Sequence, residues 1–325
     1  MKIKKISAYF PEKIVTTEML FRDMPERYLE KILNVTGIYQ RHVSNENEYV
    51  SDLAVAAAEK LFISDINRND VDYIILCTQT ADNQAPTTAC IIQARLKLKS
   101  SIGAIDVNLG CSGYIYALSL AYGLLKSKQA KMILVITADT YTKYLNKNDT
   151  MTQALFGDAA TATLIQNSDN AQNESYFLFG TDGEGAKNLI VKNSGAQALC
   201  LNQYSPPYLY MDGAEIMSFA LRIVPEMYMR LLSESKVDKN KIKYFIFHQA
   251  NKKLLSLLKN KLSISEEKFV IDLSKTGNTI SSTIPIALCN LMNAKKLKEE
   301  DTILLLGFGI GYSWAGCIIN SHLER

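Results

Sequence analysis

Short apolar runs alternate along the chain with longer segments of helical periodicity. The runs DYIILCTQ at 72–79 and KYFIFHQ at 243–249 each place three apolar residues after a tyrosine, a pattern typical of buried strands. Each run precedes a segment in which apolar residues recur every three or four positions, at 87–98 and at 250–262. The same strand and helix unit therefore occurs twice in the chain.

The repetition continues along both halves in the same order. Two short apolar segments, at 103–113 and 269–279, are each predicted to begin with a strand that contains Ile-Asp. A turn with Gly110 or Gly277 follows, and then a helix-length apolar segment. Two further buried strands follow, and a last pair of strands closes each half. The matching segments are 103–113 with 269–279, 131–137 with 301–307, and 159–166 with 312–320. Because the separation between matching segments stays nearly constant, the chain contains an internal duplication.

Strands that alternate with helices predict mainly parallel sheets covered by helices. We therefore expect an α/β protein with a duplicated five-layered fold and two pseudo-symmetric halves. The first half spans residues 1–170, with an extra segment near 138–158, and the second spans 214–325. Residues 171–213 are interpreted as the connection between them.

Composition excludes several classes of protein. Of 325 residues, 47% are hydrophobic and 21% charged, and the net charge is +3, which argues against disorder and nucleic-acid binding. The sequence has no run of 18 apolar residues and no Cys-x-x-Cys pair, and its three histidines lack metal-ligand spacing. Neither a membrane span nor a metal site is expected. The amino terminus lacks the apolar core of a signal peptide, so we expect a cytoplasmic protein with reduced thiols.

Three residues stand where parallel α/β sheets place their sites, beyond the carboxyl ends of strands. Cys111 follows a predicted strand and a glycine and opens a predicted helix. His248 ends the strand that repeats the one ending at Cys77, and Asn278 occupies the position equivalent to Cys111. A helix amino terminus lowers the pKa of a cysteine and favours the nucleophilic thiolate, so we expect Cys111 to be the nucleophile.

Structural interpretations compete with these roles. His248 would otherwise be a core histidine bonded to backbone, and Asn278 a helix N-cap. We interpret the remaining cysteines other than Cys200 as small buried packing residues: Cys77, Cys90, Cys289 and Cys317. The glycine-rich GFGIG at 307–311 precedes a strand instead of a helix, which argues against nucleotide binding and favours close backbone approach to a substrate.

Several motifs in order along nearly the whole chain resemble the β-ketoacyl-acyl-carrier-protein synthase III family of the thiolase superfamily. The motifs are TGIYQRHV at 36–43, DVNLGCSGYIYAL at 106–118, LFGDAA at 155–160, HQAN at 248–251, GNTISSTIP at 277–285 and GFGIGYSWAG at 307–316. The resemblance implies a thiolase-like homodimer with the catalytic triad Cys111, His248 and Asn278. It implies an oxyanion hole formed by the backbone N–H groups of Cys111 and Ile310, and no cofactor.

The resemblance also implies the reaction. An acyl primer is transferred to Cys111, and malonyl-acyl carrier protein then condenses with it by decarboxylative Claisen chemistry. A thiolase must abstract a proton from its substrate, whereas decarboxylative condensation needs no base. Because asparagine cannot act as a base, Asn278 suits decarboxylation. Carrier or pantetheine binding falls to Asn251, Lys252 and Lys253. Lys252 and Lys259 share a predicted helix face that could dock an acidic carrier.

The chain departs from the family pattern at three places. Lys31 and Val35 replace the tryptophan and arginine expected to hold the adenine end of coenzyme A. Ala85 replaces a bulky aromatic before Pro86 at the dimer-side acyl pocket, and Ile310 replaces a glycine. We therefore expect a specialised member whose primer arrives on acyl carrier protein, although acyl-CoA stays possible. Two alternatives stay open: acyl transfer to an acceptor other than malonyl, and a catalytically silent partner subunit.

Overall fold

The first sheet is built entirely from the amino-terminal half. The computed structural model describes residues 1–63, 66–167, 175–200 and 205–320, so His322 and the predicted boundary at 170–171 lie outside it. The sheet has the order β1-β7-β6-β4-β5, with β4 parallel to both neighbours and β7 antiparallel to both of its own. Its strands are β1 (Lys2–Tyr9), β4 (Tyr73–Cys77), β5 (Gly103–Val107), β6 (Met132–Asp139) and β7 (Ala159–Gln166), and a hairpin of β2 (Ile14–Thr16) and β3 (Gln40–His42) lies beside it.

The second sheet repeats this arrangement. Its order is β11-β12-β13-β8, with β11 parallel to β12 and β13 antiparallel to both neighbours. Strand β8 lies within the segment 171–213 of the chain and takes the place that β1 has in the first sheet. The strands are β8 (Tyr176–Thr181), β11 (Ile242–Phe247), β12 (Thr302–Gly309) and β13 (Ser313–Asn320), and β9 (Leu189–Val191) pairs separately with β10 (Leu209–Met211).

The prediction of a strand at residue 269 is wrong, although the segment does lie beside β11, at the edge of the second sheet where the repeat places it. Only an isolated parallel bridge joins Phe269 to Phe245 of β11. Its two hydrogen bonds are those from Phe245 N–H to Lys268 O and from Val270 N–H to Phe245 O, after which the Asp272 N–H donates to the side chain of Gln249. The Gln249 side chain thus takes the place of the next backbone hydrogen bond to β11. The segment therefore leaves the second sheet after one bridge, whereas the equivalent strand β5 of the first sheet continues.

Helices cover the sheets in five layers, which confirms the predicted duplicated α/β fold. On the outside, α3 and α4 contact the first sheet, while α7 contacts the second sheet and α8 packs on α7. Between the sheets, α5 and α9 each contact strands of both. The helices are α1 (Thr17–Leu20), α2 (Glu26–Thr36), α3 (Val50–Phe62), α4 (Thr88–Arg95), α5 (Gly113–Lys126), α6 (Thr150–Leu155), α7 (Gly213–Ser235), α8 (Lys252–Lys261) and α9 (Thr283–Asn293).

The central layer explains why the two halves form one body. Tyr114 and Leu118 of α5 and Ile284 of α9 are buried in a single cluster with apolar residues of both sheets. Helices that are apolar around most of their circumference need partners on two sides, and here each sheet supplies one. The loops that follow the parallel strands of both halves therefore meet at the same end of the molecule.

Candidate active site

Cys111 lies on a tight turn between β5 and α5. Ser112 is the N-cap of α5, and its hydroxyl is 2.7 Å from that of Ser313 at the start of β13. The turn packs directly on β12 of the other half: a Cβ added at Gly309 would lie 2.8 Å from the Cys111 Sγ, and one at Gly307 would lie 2.7 Å from the Cys111 carbonyl oxygen. The close approach expected at GFGIG is therefore an approach to the Cys111 turn itself.

The predicted lowering of the Cys111 pKa is wrong. Complete burial raises the pKa of this thiol to about 12, and the nearby Asp139 carboxylate acts in the same direction. The backbone N–H groups of Ile310 and of Cys111 itself act to lower the pKa and oppose this rise without cancelling it. Loss of hydration raises the pKa of Cys111 more than the helix amino terminus lowers it, so the resting side chain is a thiol.

His248 follows β11 and is held at both its backbone and its ring. Its N–H donates to Leu306 O at 2.8 Å, and its ring Nδ1 lies 2.8 Å from the hydroxyl of Thr283. The ring meets Phe308 edge to face, with centroids 5.8 Å apart, and burial lowers the pKa of His248 to about 3. The imidazole is therefore neutral, with Nε2 left for contacts in the cavity.

Asn278 is positioned by the LFGD motif of the first half. Its N–H donates to Leu155 O at 2.8 Å, and its carbonyl oxygen accepts the Gly157 N–H at 3.1 Å. The side-chain Oδ1 accepts the Ile280 N–H at 3.0 Å, ahead of the 3₁₀ turn Ile280–Ser282. The amide oxygen is occupied by this local bond, so the Nδ2 amide remains as the hydrogen-bond donor.

A cavity of about 210 Å³ joins these residues. Cys111, His248 and Asn278 all line it, together with Ile310 and Asn251. Most of its wall is apolar and includes Leu155, Phe156, Leu189, Ile216, Leu254 and Phe308. The chain thus brings one thiol, one neutral imidazole and one amide donor to a largely water-excluding site, where hydrogen bonds to developing charge are strong.

The predicted carrier-binding residues fall into two groups. Asn251 lines the cavity, and its Oδ1 caps α8 by accepting the Leu254 N–H at 2.9 Å. Lys252 and Lys253 are exposed in the first turn of the same helix. Lys259 does not extend this basic surface as a free charge, because its ammonium forms an ion pair with Glu266 at 2.8 Å.

Lys31 and Val35, which replace the expected coenzyme A clamp, lie in different surroundings. Val35 of α2 lines the cavity, whereas Lys31, one turn earlier, is exposed and lies outside the lining. Next to them, Lys252 packs against Gly37 at the end of α2. The carboxyl end of α2 and the start of α8 therefore border the same opening.

The remaining cysteines follow the expectation except for one. Cys77, Cys289 and Cys317 are buried, whereas Cys90 is exposed, with its sulfur 3.0 Å from the Thr87 hydroxyl oxygen. The prediction that Cys90 packs inside is wrong because it lies on the outward side of α4. All six cysteines are free thiols.

A buried carboxylate that sequence reasoning missed lies behind the nucleophile. Asp139 ends β6, accepts the Gln79 N–H at 2.9 Å and the Ser281 hydroxyl at 2.6 Å, and so links the two halves near Asn278. Burial raises the pKa of Asp139 to about 7. Its place at the carboxyl end of a parallel strand was the available signal, because the same rule selects Cys111 and His248.

A buried arginine supports the loop that holds Asn278. Arg41 of β3 donates to Gln153 O and, at 2.5 Å, to the Thr17 hydroxyl, and its Nε has no partner among the described residues. Its side chain packs against Gly157. Burial lowers the pKa of Arg41 to about 10. The motif TGIYQRHV thus acts through Arg41 on the LFGD loop.

The described residues contain neither a metal-ligand cluster nor a membrane-spanning helix. No group of three or more His, Cys, Asp or Glu side chains there could hold a metal ion. Within the same part of the chain, each helix is too short or too polar to cross a bilayer.

Comparisons with known proteins agree over the full chain. The family models described as 3-oxoacyl-(acyl-carrier-protein (ACP)) synthase III and its C-terminal part match residues 105–183 and 232–321. A β-ketoacyl-(acyl-carrier-protein) synthase III of Clostridium perfringens is 37% identical over 319 residues, which cover 96% of each chain.

Solved structures show the same relationship. One 3-oxoacyl-(acyl-carrier-protein) synthase III is 42% identical with a TM-score of 0.93, covering 98% of this chain and 99% of its own. A 3-oxoacyl-(acyl-carrier protein) synthase from Burkholderia xenovorans LB400 is 32% identical with a TM-score of 0.92, covering 99% and 94% of the respective chains. By fold, sequence identity and shared motifs, this chain belongs to the 3-oxoacyl-acyl-carrier-protein synthase III family.

Proposed function

We propose that this enzyme forms a 3-oxoacyl thioester by condensing a Cys111-bound acyl primer with malonyl-acyl carrier protein, with loss of CO₂. The observation that carries the proposal is the convergence of Cys111, His248 and Asn278 from separate parts of the chain on one apolar cavity. Each of the three supplies a group that the two half-reactions need.

The first half-reaction is acyl transfer to Cys111. Because the thiol and the imidazole are both neutral at rest, the thiol proton passes to His248 Nε2 as sulfur attacks the thioester carbon. In this step Nδ1–H donates to the Thr283 hydroxyl, which donates in turn to Ile280 O at 3.2 Å. The backbone N–H groups of Cys111 and Ile310 both act on the Cys111 thiol, which supports their proposed role as the donors that hold the oxyanion. The tetrahedral intermediate then expels the donor thiolate, which takes the proton from His248.

The second half-reaction is decarboxylation of the malonyl group. As the bond to the carboxylate breaks, its electron pair forms an enolate whose oxygen accepts hydrogen bonds from His248 Nε2–H and Asn278 Nδ2–H. Ile280 fixes the Asn278 amide as a donor. This step needs the tautomer of His248 that carries its proton on Nε2, in which Nδ1 accepts a hydrogen bond from the Thr283 hydroxyl. Between the half-reactions the imidazole reaches this tautomer by giving its Nδ1 proton to water and taking one at Nε2 from water, while the donor thiol is leaving and the cavity is open. The enolate carbon attacks the acyl-cysteine carbonyl and releases the Cys111 thiolate, which takes up one proton from solvent to restore the resting thiol.

The donor of the primer is proposed to be acyl carrier protein. Val35 gives the cavity an apolar wall where an adenine clamp is expected, and the exposed Lys252 and Lys253 offer positive charge at the start of α8. Carrier proteins are acidic, so this surface suits them. We further propose that the enzyme is a homodimer, as its family resemblance implies, and that it works in the cytoplasm, where free cysteines persist.

Incubation with malonyl-carrier protein and a set of acyl donors tests the proposal by mass spectrometry. We expect an acyl adduct on Cys111, loss of CO₂ and a 3-oxoacyl-carrier product, all absent in Cys111→Ala. An adduct without a 3-oxoacyl product would favour transfer to another acceptor. Absence of any adduct on the folded wild type would favour a silent subunit.

A further inference from the structure

Two polar side chains line the cavity without a part in the proposed chemistry. They are Gln79, in the loop after β4, and Tyr141, in the turn after β6. The other polar lining residue outside the catalytic set is Asn251, whose side-chain oxygen is occupied as the cap of α8. Gln79 and Tyr141 therefore stand out in an otherwise apolar wall.

The two side chains form a pair with a defined orientation. Tyr141 is 2% exposed, and its hydroxyl donates to Gln79 Oε1 at 3.1 Å. The backbone N–H of Gln79 donates to Asp139, so the residue is held at both ends. With Oε1 occupied, the Nε2 amide is left as a donor, and it makes no hydrogen bond to any group that the structure describes. A buried phenol thus fixes which end of the carboxamide is available.

The Gln79 carboxamide lies beside the residue that precedes the nucleophile. Gln79 Oε1 is 2.5 Å from the point where a side chain at residue 110 would begin, and the Ile310 γ-methyl is 2.9 Å from the same point. Residue 110 directly precedes Cys111, and consecutive Cα atoms are about 3.8 Å apart. Because Gln79 and Cys111 also line the same cavity, we expect the first carbons of an acyl chain on Cys111 to lie near the Gln79 carboxamide.

We propose that the Gln79–Tyr141 pair selects acyl primers that carry a hydrogen-bond acceptor close to the thioester, with 3-hydroxyacyl groups as the best fit. The inference rests on the proposed function, because it concerns the primer of the same reaction. A purely alkyl primer covers the Gln79 Nε2 amide with apolar surface and leaves it without a partner, which disfavours that primer. A site that bonds a substrate hydroxyl discriminates against analogues that lack one.

The test compares two primers of equal shape, 3-hydroxybutanoyl and 3-methylbutanoyl. Each is supplied as its N-acetylcysteamine thioester, which has neither nucleotide nor carrier protein, and both enantiomers of the hydroxy compound are used. The rate of Cys111 acylation is followed by intact mass in wild type, Gln79→Leu, Tyr141→Phe and Tyr144→Phe. Tyr144 is the matched control, because its ring lies 6.0 Å from that of Tyr141 and outside the cavity lining.

We expect wild type to prefer one 3-hydroxybutanoyl enantiomer by about tenfold or more. Gln79→Leu abolishes or reverses this ratio, Tyr141→Phe lowers it, and Tyr144→Phe keeps it. Equal rates with the two primers in wild type, or an unchanged ratio in Gln79→Leu, would overturn the inference. The proposed function would stand in that case if the acylated enzyme still forms a 3-oxoacyl product with malonyl-carrier protein. Failure of Cys111 to accept any primer, whether from N-acetylcysteamine or from acyl carrier protein, would instead overturn the proposed function, and the inference with it.

Discussion

The protonation state of Cys111 in the free enzyme controls its reactivity toward alkylating reagents. Burial raises the pKa of this thiol to about 12, so about one molecule in 10⁴ holds the thiolate at pH 8. A free cysteine, with a pKa of about 8.5, is about one quarter thiolate at that pH. Since the thiolate is the nucleophile, Cys111 should react about 10³-fold more slowly than free cysteine at pH 8.

Iodoacetamide labelling between pH 6 and pH 10 measures this difference. The alkylation rate of the Cys111 peptide is read by mass spectrometry, with N-acetylcysteine as the reference thiol and the exposed Cys90 as a second reporter in the same chain. We expect the Cys111 rate to rise about tenfold per pH unit with no plateau by pH 10, because the titration midpoint lies above the range.

A plateau near pH 7 would refute this reasoning. If His248→Ala then removed that plateau, a thiolate–imidazolium pair would be the resting state, contrary to the lowered pKa of His248. Acyl transfer would in that case begin from a preformed ion pair instead of a proton transfer during attack.

Three further predictions address the neighbours of the nucleophile. Asn278→Ala should retain acylation of Cys111 but lower malonyl decarboxylation by about 10²-fold, which is the loss expected for one donor to a developing oxyanion. Acylation is measured by intact mass and decarboxylation by CO₂ release, and an equal loss of both steps would contradict this prediction. Thr283→Val removes the partner of His248 Nδ1 and should lower kcat about tenfold with little change in KM, measured with malonyl-carrier protein. Asp139→Asn tests linkage: the folded pKa of about 7 lies above the unfolded value of 3.8, so ionised Asp139 destabilises the native state as pH rises from 4 to 7. In urea unfolding, the stability of wild type relative to Asp139→Asn should therefore fall by about 1.4 kcal/mol per pH unit in that window, and a flat difference would argue against a raised pKa.

Periodicity and internal repetition predict the fold well, because both depend on contacts that each half repeats locally. The strands ending at Cys77 and Phe247 and the helices that follow them lie where the apolar pattern places them. The segment at residue 269 shows the limit of this reasoning. Its composition matches that of β5, but a side-chain amide from Gln249 takes the place of the next backbone bond, and apolar pattern carries no information about that competition.

The duplication also predicts that Cys111, His248 and Asn278 lie near one another, and the structure brings all three to one cavity. It does not predict their chemical state. Helix position alone predicts a lowered pKa for Cys111, and only the packing of the turn against β12, in the other half of the chain, reveals the burial that raises it.

Tertiary structure alone also decides which atom of the Gln79 side chain is available. Tyr141 donates to the carboxamide oxygen of Gln79 and leaves the amide as a donor, whereas the oxygen of Asn278 is occupied locally by the Ile280 N–H. Gln79 and Tyr141 are distant in the sequence and meet because β4 and β6 are neighbouring parallel strands. A linear sequence determines which elements form and which residue types they carry, whereas burial and hydrogen-bond direction arise only when distant segments share one cavity.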